Sequence, residues 1–488
     1  PYKNGGKMTV TVKVTNTGKV AGKDVVQIYG HAPYYQSGVE KAEHELIGFE
    51  KTDLIQPGCS DTVKITVNIQ DLASYDYADA NGNGKMTYEL DKVAATDSKE
   101  HPIHDSTGHY ELRVMRNSHD YGNGDNSVYN AESNKTGMVV RLADLEKDII
   151  LNKDDFAGTD VHNLFSGDDI NNTLSWDPET GKTLVEEDKM TLMTRSDFAG
   201  TWPAVATEEQ LVRSDKYYKN ITEFADFNAE NWQDYYKMVY PEGTATSEDN
   251  SEFVWAVSET EFKAMDDELG TLSWEQRDPE ADLAALQAGD DWLWFSDMFG
   301  YDYRKGGEDL AKWNQFMNQL TWQEMIEWIG NGGRRTAAID SVHHQQCSYV
   351  DATQKMNSSN NFGWGSTYIS ARTWNKDLTY KRGRTVAEIG LLDGVEAYYA
   401  PAVDLHRSPF GGRNDEYWSE DGFLSGHLAG NMLAGVQSTG MMCTIKHFAL
   451  NENENMRQSL HTYLSEQAMR ELYLPAFQIC IQEYGSQG

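Results

Sequence analysis

Gly422-Phe-Leu-Ser-Gly-His-Leu-Ala-Gly-Asn-Met-Leu-Ala-Gly-Val-Gln437, followed by Ser438-Thr-Gly440 and Met441-Met-Cys-Thr-Ile-Lys446-His447, is the stretch that decides the fold. Leu424, Leu428, Met432, Leu433 and Val436 recur at helical spacing, so residues 422–437 read as a helix. Met441 to Lys446 is a short apolar run after a glycine turn and reads as a buried strand that ends on charge. The same alternation occurs on both sides. Upstream, Thr321-Trp-Gln-Glu324 is a capping box with Met325, Ile326 and Ile329 continuing an apolar face, and Ala397-Tyr-Tyr-Ala400 is a strand halted by Pro401. Downstream, Ser465 caps a helix carrying Ala468, Met469 and Leu472. Repeating βα units imply a parallel sheet, open or closed into a barrel. From residue 306 to 488 the count fits about the first half of an eight-fold barrel.

Residues 1–120 have a different period. Val10, Val12 and Val14 alternate with polar neighbours, and Val25, Val26, Ile28 and Tyr29 follow the turn Asn16-Thr-Gly18. Val63, Ile65, Val67 and Ile69 form the cleanest period-two run, and Tyr110, Leu112 and Val114 close the region. Short strands at this spacing predict a small β-sandwich. Within it, Asp79-Ala-Asn81-Gly-Asn83-Gly84 imitates the start of a calcium loop, but the acid required at the twelfth position is Leu90, and Glu89 falls one place early. A Gly/Asn-rich hairpin is the preferred reading, and no metal is expected. Residues 121–305 are acidic, polar and weakly periodic; Asp291-Trp-Leu-Trp-Phe295 and similar clusters predict a connector that wraps a neighbouring domain.

Composition narrows the function. The formal charge of −35 repels phosphate backbones and anionic membrane faces, which argues against nucleic acid and membrane partners and favours a neutral substrate. The 13 Trp and 26 Tyr suit a folded core and are also the rings on which sugars stack. Cys59, Cys347, Cys443 and Cys480 show neither a Cys-x-x-Cys pattern nor a disulfide framework and read as buried thiols. No apolar run reaches the length of a membrane span. The chain opens on Pro1 without a signal-like segment and trails off after Glu483, so it reads as a piece of a longer protein.

In a parallel α/β domain, polar residues just past strand C-termini are the usual place for a site. Three such places stand out: Asp351 in Tyr349-Val-Asp-Ala352, Arg413 at the end of His406-Arg-Ser-Pro-Phe-Gly-Gly-Arg413, and Lys446-His447 with the polar loop that runs on to Arg457. A carboxylate accepts two hydroxyl hydrogens at once, and an Arg fork holds several oxygens in fixed geometry. Arg413 could equally pair with Glu416, Glu420 or Asp421 to pin its own loop. No phosphate-binding glycine loop, His-Glu-x-x-His zinc motif or Gly-x-Ser-x-Gly elbow occurs, and no cofactor is expected.

These residues carry a resemblance. His406 to Asn414, Tyr417-Trp-Ser-Glu-Asp421, Lys446-His-Phe-Ala-Leu-Asn451, Thr373-Trp-Asn-Lys376 and Arg470-Glu-Leu-Tyr-Leu474 resemble, in order and spacing, the signatures of glycoside hydrolase family 3 across about residues 320–488. Residues 8–75 resemble that family's fibronectin type III-like domain. The resemblance implies a multidomain α/β plus β fold. A fibronectin type III-like β-sandwich, incomplete at its N-terminus, would precede the first part of a TIM-type (β/α)8 barrel, as in rearranged bacterial members whose α/β sandwich domain lies upstream. It further implies that Asp351, Arg413, Lys446, His447 and Arg457 grip the nonreducing sugar. The family's usual Asp-Gly-Pro is Asp351-Ala-Thr353 here, and the segment between Phe362 and Thr373 is shorter than usual.

The family's nucleophile, an Asp at a later strand, and its acid/base Glu are both expected outside this chain. The implied activity is an exo-acting retaining β-glucosidase, with β-xylosidase or a non-catalytic carbohydrate-binding relative as alternatives, and with the fragment inactive alone. The implied partners are β-linked glucosides or oligosaccharides and the upstream sandwich domain. Oligomeric state is left open, and a cytoplasmic location is favoured narrowly over secretion.

Overall fold

A computed structural model describes residues 6–34, 38–91, 109–118, short stretches between 129 and 195, and 276–488 except 331–334, 352, 357–362, 410, 453, 455–461 and 463. The chain divides into two compact units, one of residues 1–199, 333–335 and 347–488, the other of 200–332 and 336–346.

The β-rich part of the first unit contains β1 (Lys7–Thr15), β2 (Val25–His31), β3 (Glu45–Lys51), β4 (Ser60–Asn68), β5 (Ser74–Tyr75), β6 (Tyr88–Leu90), β7 (Glu111–Met115), β8 (Met138–Arg141) and β9 (Ile149–Leu151). Antiparallel β1 and β4 set Val12 opposite Val63 and Val10 opposite Ile65. On β4 the alternation places Val63, Ile65 and Val67 in the core and their neighbours outside. Each such burial contributes roughly 1.5–3 kcal/mol. The other sheets run β8-β7-β2-β3 and β9-β6-β5. The strands read from the sequence are present, but β-structure does not stop at residue 120. β8 and β9, drawn from the expected connector, complete two of the sheets. Their pairing partners lie far away in sequence, so local periodicity gave no sign of them.

In the second unit, Thr321 and Glu324 form the expected capping box: Glu324 Oε2 accepts from the Thr321 N–H at 2.7 Å, and Thr321 Oγ1 accepts from the Glu324 N–H at 3.2 Å. The helix Trp322–Gly330 buries Met325 against Phe316 and Leu320. Ile326 and Ile329, expected on the same apolar face, are exposed. At 100° per residue Ile326 lies more than a quarter-turn from Met325, and Ile329, close to it in angle but near the helix end, stays outside the cluster.

The parallel sheet belongs to the first unit. Its strands β10 (Tyr349–Asp351), β11 (Ala397–Tyr399) and β12 (Met442–Cys443) lie side by side in that order, with Val350 opposite Tyr398 and Tyr398 opposite Cys443. Helix α1 (Lys376–Leu392) connects the first pair and α2 (Gly422–Gln437) the second. Both start as capping chemistry dictates: Asn375 Oδ1 accepts from Leu378 N at 3.0 Å and Asp421 Oδ1 from Leu424 N at 2.7 Å. The two helices press together where neither has a side chain in the way. A Cβ on Gly383 would lie 1.9 Å from the Met432 carbonyl oxygen, and one on Gly435 would lie 2.1 Å from that of Tyr380.

Three expectations are corrected in detail. The strand read over 441–446 is continuous only over Met442–Cys443, and Lys446 pairs again through an isolated parallel bridge to Ala402. The helix capped by Ser465 is α-helical over Glu466–Ala468 and widens to a π turn over Met469–Tyr473. Cys443 and Cys480 are buried thiols as expected, but Cys59 is exposed and Cys347 half-buried. Among the described residues no helix is long and apolar enough to cross a membrane.

The apolar core around the parallel sheet is continuous with the β-rich part. Leu46, Phe49 and Met115 cluster with Leu428, Met432 and Tyr398. The Phe49 ring meets Trp374 edge-on at 5.2 Å and Phe423 at 6.3 Å.

Candidate functional site

The C-terminal ends of the three parallel strands point to one side, and each delivers a charged residue there. Asp351 is the last residue of β10, Lys446 lies just past β12, and Arg413 stands in the loop after β11. The loop behind Asp351 is fixed by Arg382, a fully buried guanidinium on α1 that donates to the Thr353 carbonyl at 2.8 Å and the Ser370 hydroxyl at 2.7 Å. Gly411 lets the loop before Arg413 pass close to Asn414, whose amide donates to the Ser408 carbonyl at 2.7 Å.

These groups form a line of alternating charge. Lys446 Nζ is 2.5 Å from Asp351 Oδ1 and 3.5 Å from Glu416 Oε2. The other oxygen of Glu416 accepts from Arg413 Nε, and Arg413 Nη1 is 3.5 Å from Glu454 Oε1. Burial draws the Arg413 pKa down, but the hydrogen bond and charge of Glu416 outweigh it and hold the group above its ordinary value. Lys446 is 8% exposed, so an unmatched charge there would be expensive.

His447 is set by Asp404, a carboxylate only 1% exposed. Asp404 Oδ2 accepts from the His447 N–H at 2.6 Å and lies 3.5 Å from its ring Nδ1, while Oδ1 accepts from the Asn451 N–H at 2.9 Å. The His447 ring also faces the Tyr417 hydroxyl at 3.3 Å. That hydroxyl donates to the Asn451 carbonyl at 3.0 Å and receives the Asn451 amide at 2.9 Å. Burial, then the charge of Asp404, hold the Tyr417 phenol well above its usual range, so it is neutral. Beside it, burial and then Asp404 push the Glu452 carboxyl up to about 7.

Asp351, Arg413 and Lys446 are thus brought together through Glu416, and His447 follows on the same loop. Arg457, the fifth predicted residue, lies outside the described residues. The pairing of Arg413 with Glu416, one of the alternatives open from sequence, is present; it links Arg413 to Lys446 instead of turning it away. Sequence reasoning missed Asp404 and Tyr417. Asp404 did carry a signal, as an acid two residues beyond Pro401-Ala402 at a strand end in an otherwise apolar run. Glu416, set aside as a loop anchor, is the shared partner of both cations. Ammonium, guanidinium and carboxylates fixed at one strand edge can exchange hydrogen bonds with a neutral polyhydroxyl ligand without leaving net charge stranded. Among the described residues no group of three or more His, Cys, Asp or Glu side chains is placed to hold a metal.

Residues 366–487 match the glycosyl hydrolase family 3 N-terminal domain, and residues 24–90 match the fibronectin type III-like domain. Over 492 aligned positions the chain is 28% identical to β-glucosidase A of Butyrivibrio fibrisolvens, covering 98% of this chain and 46% of that protein. Over 115 residues it is 42% identical to β-glucosidase B of Emericella nidulans, covering 24% of this chain and 14% of that one. The solved β-glucosidase from Paenibacillus barengoltzii shares the fold, with a TM-score of 0.58 at 18% identity, over 100% of this chain and 42% of its own. The chain therefore spans less than half the length of each of these relatives. The chain is thus similar to the β-glucosidase-like members of glycoside hydrolase family 3, with a match to the family's N-terminal domain at residues 366–487 and to the fibronectin type III-like domain at 24–90.

Proposed function

We propose that this chain supplies the glucose-binding subsite of an exo-acting, retaining β-glucosidase that removes nonreducing terminal β-D-glucosyl residues from β-linked glucosides or oligosaccharides. β10 to β12 with their helices are read as the first part of a TIM-type barrel, preceded by the fibronectin type III-like sandwich. Asp351, Arg413, Lys446, His447 and Arg457 hold the sugar. The observation that carries the reading is the meeting of Asp351, Lys446 and Arg413 on Glu416 at one edge of the parallel sheet.

A retaining glycosidase needs two carboxyl groups about 5 Å apart, one to attack the sugar and one to exchange protons. The carboxylates nearest Lys446 are each engaged with a cation or with backbone N–H groups, as holders would be. In this proposal the attacking carboxylate and the proton donor come from other parts of the whole protein. The 488-residue chain then binds glucose without hydrolysing aryl β-glucosides. Calorimetric titration with glucose and an aryl β-glucoside assay on both the chain and the whole protein test it. Glucose binding that Arg413→Ala and Lys446→Ala weaken at least tenfold, with turnover by the whole protein alone, is the expected result. Failure of the whole protein to hydrolyse any β-glycoside would leave a sugar-binding relative and overturn the enzymatic reading.

A further inference from the structure

Asp79-Ala-Asn81-Gly-Asn83-Gly84 begins as a calcium loop begins, yet its twelfth residue is Leu90. The structure shows which acid faces the loop instead. Glu89, the middle residue of β6, is 1% exposed and turns its carboxylate onto the two asparagines: Oε2 accepts from Asn81 Nδ2 at 2.9 Å and from Asn83 Nδ2. Its second oxygen, Oε1, is buried and has no hydrogen-bond partner. A buried carboxylate oxygen left unmatched is costly, and burial pushes this carboxyl up to about 6.

The neighbouring acids are already satisfied. Asp76 accepts from the backbone N–H groups of Ala78, Ala80 and Asn81, at 3.2, 2.9 and 3.2 Å, and Asp91 Oδ2 is paired with Lys41 Nζ at 2.8 Å. Glu89 Oε1 is the oxygen that still calls for a cation. Gly84, at the sixth position, has the positive φ of 76° that the sharp turn of such a loop requires. Asp79, at the first position, accepts from the Gly84 N–H at 2.8 Å, which closes the loop.

We propose that residues 79–89 form a calcium site in which Glu89 replaces the usual twelfth-position acid. The ligands are the carboxylates of Asp79 and Glu89, the side-chain oxygens of Asn81 and Asn83, and the Lys85 main-chain carbonyl that the spacing supplies at the seventh position. A cation between Glu89 and the two amides takes the place of the Nδ2 donors, and each amide turns its carbonyl oxygen inward. Two carboxylates with amide and carbonyl oxygens make a hard, neutralising set that suits calcium over a transition metal. The site would tie the loop to β6, and so to the sheet that also holds β5 and β9.

The test is calorimetric titration of the EDTA-treated chain with calcium chloride, with thermal melts in calcium and in EDTA. Expected are one calcium per chain with Kd of about 10⁻⁵ to 10⁻³ M and a higher melting temperature in calcium. Glu89→Gln and Asp79→Gly should each weaken binding at least tenfold and remove the calcium-dependent shift. Asp79→Gly suits the positive φ of 53° at that position and decides the matter if Glu89→Gln fails to fold. No binding at about 10 mM calcium would overturn the proposal. So would binding that both variants leave unchanged, since the ion would then be collected by the acidic surface at large.

Discussion

Glu416 sits between Lys446 and Arg413, giving one carboxylate oxygen to each, so that two cations from different strand-end loops are held by a single acid. Because both cations and Glu416 are largely buried, removing the acid would leave Lys446 to Asp351 alone and Arg413 to Glu454 alone.

Glu416→Gln should therefore cost about 1–3 kcal/mol of unfolding free energy, and glucose affinity should fall with it as Arg413 and Lys446 lose their shared acceptor. Urea unfolding and glucose titration of the variant would check both. A variant of unchanged stability would show that the charge line contributes nothing to the fold.

Asp404 holds the N–H groups of His447 and Asn451 with one oxygen each. In Asp404→Asn one of the two amides would meet a donor in place of an acceptor. A loss of about 1–3 kcal/mol is expected, with weaker glucose binding through a displaced His447. Asp404→Glu, which keeps both acceptors but lengthens the arm, should recover stability in part without restoring affinity.

Gly383→Ala and Gly435→Ala test the contact between α1 and α2. Each added Cβ would meet a backbone carbonyl oxygen, which cannot rotate away, at 1.9 and 2.1 Å. The helices must move apart, at about 3 kcal/mol for each variant, read as a lowered urea midpoint. Gly394→Ala, where a Cβ has open space but φ is 74°, should destabilise less, through backbone strain alone.

The pH dependence of stability should be dominated at neutral pH by two facing acids, Glu45 of β3 and Glu471 of the π turn. Burial, then the charge of Glu45, raises Glu471; burial, then Asp421, raises Glu45. A carboxyl raised in the folded state contributes stability that is complete below its unfolded pKa of about 4.5 and is lost as pH rises through the folded value. The urea midpoint should fall between about pH 5 and pH 8, and Glu471→Gln should flatten that decline. A slope equal to the parent's would place the effect elsewhere.

How much of this was legible in the sequence differs from element to element. α2 was read to its ends, because five apolar residues at helical spacing lie between an Asp cap and a Ser-Thr-Gly stop. β4 was equally plain, since period two survives wherever one face is buried and the other wet. β8 and β9 were not, because an edge strand is defined by its partner's unpaired backbone rather than by its own side chains. At the site, the charged residues past β10 and β12 could be picked out by type and position. Asp404 offered its position at a strand end but not its role, which is played on backbone N–H groups whose place depends on the fold of a loop some forty residues away. Glu416 was visible, but that it serves two cations at once is a fact of three dimensions.

Phe49, lodged among Trp374, Phe423 and His427, has a consequence for how this region can be inherited or cut. Its ring belongs to the fibronectin type III-like piece but fills a hollow in its neighbour. A gene fusion or protease that parted the two would uncover a greasy scar on each. Such modules must travel as a pair, and a recombinant product that begins between them should come out of the cell as insoluble material.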